Sequence, residues 1–194
     1  MLCATDEPIA PLTRVRSTLL SSSFLSLKER GIEARYLANL PRQYHDAIRF
    51  TPAGVWLPLE VASAHYTACD ALGLSEAELR GMGGAVAKLA TKSMLQMAVR
   101  VAGAAGVDPW IILSTSARYW ARFYEGSGVR LVKTAPKDGR FDVIRNPLVS
   151  FQYCRVALGG IVHSLSAPFC RTIYVNEIAA RHGPDRASYS IAWA

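Results

Sequence analysis

His65 and Cys69 stand four residues apart in a stretch of helical periodicity. That spacing sets an imidazole and a thiol on one helix face, where both could ligate one metal ion. Cys154 and His163 lie nine apart in a second helical stretch, about two and a half turns, and point differently. A metal joining the two helices would need a third ligand, Cys170 or Asp70. The simpler reading is a pair of buried thiols and a hydrogen-bonded histidine. We therefore expect no metal and no cofactor. Gly81-Met-Gly-Gly84 has the glycines of a phosphate loop, but that loop needs a strand before it and a helix start after it. Here a capped helix start comes first, so close helix packing explains the glycines better. No Gly-x-Ser-x-Gly occurs, and Ser114-Thr115-Ser116 has no neighbouring base. His45 and Asp46 diverge by about 100° on a helix, and His182 beside Asp185 reads as a turn pair.

An aromatic set is the more informative constellation. Trp110, Tyr119, Trp120, Phe123 and Tyr124 fall at helical spacing, and Trp56, Phe151, Tyr153 and Trp193 can join them. An aromatic core is the favoured reading. The functional alternative is a cavity between a helical layer and a sheet that takes a small apolar or aromatic ligand. Trp110, Trp120, Phe123, Phe151, Cys154 and Leu158 would line it, with Arg118 or Arg122 at the rim for an acidic group. Gly159-Gly160 would either admit a close backbone or leave room for that ligand.

These residues must be positioned by a chain of 194 residues, 51% hydrophobic and 19% charged. That is a globular composition, long enough for one buried core. No apolar run approaches the ~18 residues of a membrane span. The start carries early acids and no apolar core, so it does not read as a secretory signal. The expected setting is the bacterial cytoplasm, with all four cysteines reduced. The net charge of +7 favours anionic partners. However, the densest basic stretch, Arg130 to Arg145, is interrupted by Asp138 and Asp142. A solvated basic surface explains it better than a nucleic-acid footprint.

Residues 1–13 read as an arm, and 14–194 as one domain. Its first part, 14–126, is mainly helical. Helices are expected over 17–30, 32–40, 41–48 and 59–72, with Val55-Trp56-Leu57-Pro58 as an extended link. Ser75-Glu-Ala-Glu78 is a capping box, in which each residue satisfies a free amide of the other. The helix it opens should reach Val101 or Ala102 on a stripe of Leu79, Met82, Val86, Leu89, Met94 and Met97. Asp108-Pro109 should open one aromatic helix that ends at Gly126. The second part, 127–194, reads ββ-α-ββ. Hairpins at 129–144 and 171–193 flank a helix over 149–165. The fold class is therefore α+β: a helical layer packed on a small antiparallel sheet of two hairpins joined by a crossing helix.

The segments "PWIILSTSARYWARFYEGSGVRLV" and "NPLVSFQYCRVALGGIVHSL…SYSIAW" resemble an uncharacterised bacterial family best known from myxobacteria. More distantly they resemble the superfamily of vinyl-reductase-type ligand domains, heme–nitric-oxide-binding domains and TRAPP transport subunits. The resemblance implies an α+β ligand-sensing or interaction module, often dimeric. It does not extend to heme. The heme-binding branch carries a proximal histidine and a Tyr-x-Ser-x-Arg motif, whereas here no histidine falls between His65 and His163 and no such motif occurs.

The resulting expectation is a non-catalytic ligand-sensing or protein-interaction regulator, homodimeric and without a bound cofactor. The alternatives are a nucleic-acid-associated regulator using the basic surface, and a metal- or thiol-dependent enzyme using His65, Cys69 and Cys154.

Overall fold

A computed structural model describes residues 8–88 and 109–194. Ser17–Glu29 forms α1, Glu33–Asn39 α2, His45–Arg49 α3 and Leu59–Asp70 α4. Gly31 and Gly73 follow α1 and α4 with φ of 71° and 64°, the left-handed stop that glycine adopts without strain. Helix α5 is described over 76–88. Its capping box forms: Ser75 N donates to Glu78 Oε2 at 2.9 Å, and Glu78 N donates to Ser75 Oγ at 3.4 Å. The stripe residues Leu89, Met94 and Met97, and the expected cap Asp108, lie outside the described residues.

The two C-terminal hairpins form one antiparallel sheet. Gly128–Ala135 (β4) pairs with Asp138–Ile144 (β5), and Ile173–Glu177 (β6) with Arg186–Trp193 (β7). The β5–β7 pairing joins them in the order β4-β5-β7-β6. Leu131, Phe141, Val143, Tyr189, Ile191 and Val175 alternate inward and are buried. Helix α8, Gln152–Ser166, runs between the hairpins and touches α4, β6 and the helical turn Pro109–Ser114. The α+β class and the ββ-α-ββ order are those expected.

Two expectations need correction. The aromatic helix over 108–125 is not continuous. Pro109–Ser114 (α6) and Ser116–Phe123 (α7) meet at Thr115, whose ψ is −5°. Three consecutive hydroxyl residues there can bond locally to the backbone, which weakens a helix interior. The second correction is an additional sheet. Arg14–Arg16 (β1) lies between Trp56–Pro58 (β2) and Tyr124–Glu125 (β3). So Tyr124 leaves the helix for a strand. The described part of the N-terminal segment is also tied down: Leu12 N donates to Arg145 O at 3.0 Å, and Leu12 is buried.

The helical layer meets α8 through two glycines. A Cβ on Gly83 would collide with the Ala157 carbonyl, and one on Gly160 with the Arg80 carbonyl. The backbones of α5 and α8 therefore cross in direct contact. Gly159 differs, since its Cβ would meet Tyr189 and Arg80 side chains at 3.6–3.8 Å, ordinary contact distances. Gly160→Ala should therefore cost about 1–3 kcal/mol through overpacking, a fall of several degrees in thermal midpoint. Gly159→Ala should be neutral or stabilise by up to about 1 kcal/mol through helix propensity. Paired melting curves check this, and equal responses would contradict the crossing.

Candidate functional site

Amphipathic patterning brings α1, α4 and α8 together, and their inward faces carry polar groups among the hydrophobes. His65 on α4 is completely buried. Its Nδ1 lies 2.6 Å from the Tyr36 hydroxyl, and its Nε2 2.9 Å from Ser23 Oγ. Ser23 Oγ in turn lies 2.6 Å from the Tyr153 hydroxyl. A single chain of hydrogen bonds thus runs from α2 through α4 and α1 to α8. Cys69 Sγ stands 3.6 Å from the same Nε2. Asp70, the next residue, caps α8: its carboxylate accepts from Gln152 N at 3.0 Å and from Tyr153 N at 2.6 Å.

Burial sets the protonation of these groups. Desolvation lowers His65 to about 3, so its imidazole is neutral at physiological pH. The same cause raises Tyr36, Tyr66, Tyr124 and Tyr153 well above the ordinary phenol value. Burial pushes Cys154 up to about 12, against a hydrogen bond with Tyr66 that pulls the other way. The chain of groups is therefore neutral and protonated. Its chemistry is hydrogen bonding, since neither thiolate nor strong base is present at neutral pH.

Beside this chain lies a cavity of about 20 Å³, walled by Leu19, Val86, Tyr124, Ala157, Leu158 and Ile161, with Ser23, Tyr66, Tyr153 and Cys154. A space of that size holds one water-sized group. Of the eight sequence-selected residues, only Cys154 and Leu158 line it. Phe151 stacks on Tyr66 with ring centroids 6.3 Å apart, at the edge of the same cluster. Trp110 packs instead against Trp193, at 4.7 Å, and donates through Nε1 to Pro136 O at 2.7 Å. Trp120 stacks on Tyr124 at 4.2 Å and donates to Ser127 Oγ. Phe123 packs half-buried on the core. Arg118 and Arg122 are exposed on α7 and are not part of this cavity's wall. The aromatic helix thus contributes core, and the cavity sits nearer α1 and α4 than periodicity suggested.

The missed residues are Ser23 and Tyr36, and Tyr153 enters the sequence reading only as a member of the aromatic set. Each reads locally as an ordinary helical position, and only tertiary packing brings them to His65. The metal reading loses its first ligand, because both ring nitrogens of His65 are engaged. Among the described residues no group of three or more metal-ligating side chains forms. The basic first hairpin is partly neutralised, since Arg140 Nε contacts both Asp142 oxygens at 2.8 and 3.0 Å and Ser188 donates to Asp142.

No protein-family model and no curated protein sequence matches the chain. Solved structures do match in fold. The Fe(II) unliganded H-NOX protein from K. algicida superposes with a TM-score of 0.65 at 8% identity, covering 92% of this chain and 96% of that one. A protein from work on heme distortion in the H-NOX family gives 0.62 at 11% identity, covering 91% and 94%. An oxygen-binding H-NOX domain related to soluble guanylate cyclases gives 0.57 at 13% identity, with the same coverages. The chain therefore has the fold of H-NOX domains over nearly its whole length.

The described residues do not fit a heme. None of the four histidines lines the cavity: His65 is engaged on both sides, and His45 Nε2 lies 2.9 Å from Leu40 O. His163 is exposed, and His182 Nε2 is buried without a hydrogen bond, 3.9 Å from Glu177 and away from the cavity. The cavity is far smaller than a porphyrin.

Burial of neutral His65 has a measurable consequence. Its folded pKa lies below the unfolded value near 6.5, so the unfolded chain takes up the proton first. Its contribution is full above pH 6.5 and is lost as pH falls from there toward 3. His65→Gln, which can still hydrogen-bond Tyr36 and Ser23, should flatten the slope of unfolding free energy between pH 6 and 4 by up to about 1.4 kcal/mol per pH unit. Urea titrations across that range check it, and parallel pH profiles would contradict it.

Proposed function

We propose that this chain is a non-catalytic sensing domain built on the H-NOX fold. Its ligand is a molecule of one or two heavy atoms with one hydrogen-bonding atom, taken into the cavity under α8 without heme. The wall chemistry carries this reading: hydrocarbon from Leu19, Val86 and Leu158 surrounds the side chains of Tyr66, Tyr153 and Cys154, all held neutral by burial. Such a wall orients a ligand by one hydrogen bond and offers no group for turnover. The structural neighbours support the sensing role by fold alone.

Output passes to a second copy of the chain or to a protein partner in the cytoplasm. This part rests on the resemblance of the sequence to dimeric interaction modules. Light scattering over a concentration series measures it: the expected result is a mass approaching that of a dimer, and a constant monomer mass refutes it.

Ligand binding is tested by melting shifts with methanol, methanethiol and carbon monoxide, probes of one or two heavy atoms that match the cavity. The native protein should gain stability with at least one of these probes at millimolar concentration. Ala157→Val, which grows into the cavity, should abolish the gain while leaving the fold intact. No shift with any probe, or an undiminished shift in the variant, would overturn the reading.

A further inference from the structure

Thirteen residues, 47–59, separate Asp46 from Glu60 with no acid among them, and Arg49 is their one charge. Phe50 is 67% exposed and Val55 42% exposed. Pro52, Ala53 and Gly54 between them are exposed as well. The loop does not fold inward because its polar backbone is already held. Ser17 Oγ donates to Pro52 O at 2.7 Å and accepts from Val55 N at 3.0 Å, while Gly54 N donates to Thr18 Oγ1 at 3.0 Å. The start of α1 thus clamps the loop with its apolar side chains outward.

Arginines ring this loop. Pairing of β1 with β2 sets Arg16 opposite Trp56 on the outer face of the small sheet, and Arg16 lies over that indole at 3.9 Å. Arg16 also bonds Gly54 O and, at 3.2 Å, Arg122 O, tying the loop to α7. Arg49 lies over Phe50 at 5.0 Å, and Arg122 over Tyr119 at 5.7 Å. Glu125, an acid on this face, is ion-paired with Arg14.

We propose that this face docks on an anionic membrane surface, a property beyond the ligand cavity. The loop's apolar tip enters the interfacial layer, and the flanking guanidinium groups meet lipid phosphates and carboxylates. Long arginine stems can cover the apolar loop while the charged heads stay at the headgroups. A single-stranded nucleic acid fits less well. It needs open aromatic faces for base stacking, and here Arg16 and Arg49 cover the Trp56 and Phe50 faces. What stands free is the rest of the Phe50 ring with aliphatic and proline edge.

Vesicle sedimentation with the full chain tests this. Phosphatidylcholine vesicles containing about a third phosphatidylserine should bind the protein, and pure phosphatidylcholine should not. Added salt should weaken binding. Phe50→Ser should reduce the partition coefficient about tenfold or more, and Arg49→Gln about fivefold. Both positions are exposed, so unchanged melting curves confirm that the variants fold. Equal binding to neutral vesicles, no binding to either, or retention of a single-stranded oligonucleotide without vesicle binding would overturn the proposal.

Discussion

The buried imidazole of His65 constrains the helical half of this protein. A neutral histidine without exposure must satisfy two nitrogens inside the protein, and leaving one unpaired would cost about 1–3 kcal/mol. Tyr36 and Ser23 meet that demand from α2 and α1, and Ser23 passes the chain on to Tyr153 of α8. Four helices are thereby held to one register around a single ring. The glycine crossing of α5 and α8 sets how closely the backbones approach, and the hydrogen-bond chain sets which side chains meet. The small cavity is the space left over between these two constraints.

The same constraint separates this chain from what its fold would suggest. Chains with an H-NOX fold in the structural comparison are described by heme, iron or oxygen. Here the buried histidine faces hydroxyls on both sides, and aromatic and aliphatic side chains fill the surrounding core. Fold likeness at 8–13% identity fixes the path of the backbone and leaves the chemistry to the individual residues. Those residues are hydrogen-bonding groups held neutral by burial, a set suited to recognition of a small ligand.

Much of the architecture was legible because it is written locally. The Ser75–Glu78 box, the glycines after α1 and α4, the alternation in the C-terminal hairpins and the apolar stripe of α8 each carry their signal within a few residues. The three-stranded sheet was not legible, because strands of two or three residues leave no periodicity to read. The break at Thr115 was hidden by a good aromatic stripe on both sides. At the candidate site, Cys154 and Leu158, selected from their helix face, line the small cavity. Trp110, Trp120 and Phe123 were assigned to a cavity because helical spacing shows that residues share a face and not what that face meets. Ser23 lies 42 positions from His65 and 130 from Tyr153. No local rule links residues so far apart.

The central claim is that His65 is a sealed, neutral structural group and not a ligand. Nitrogen-15 NMR of the imidazole measures this directly. The expected spectrum is that of a neutral ring with one slowly exchanging N–H, unchanged from pH 7 down to about 4.5 and unchanged when hemin is added. A ring that titrates near 6.5, or whose resonances vanish on hemin addition, would contradict it.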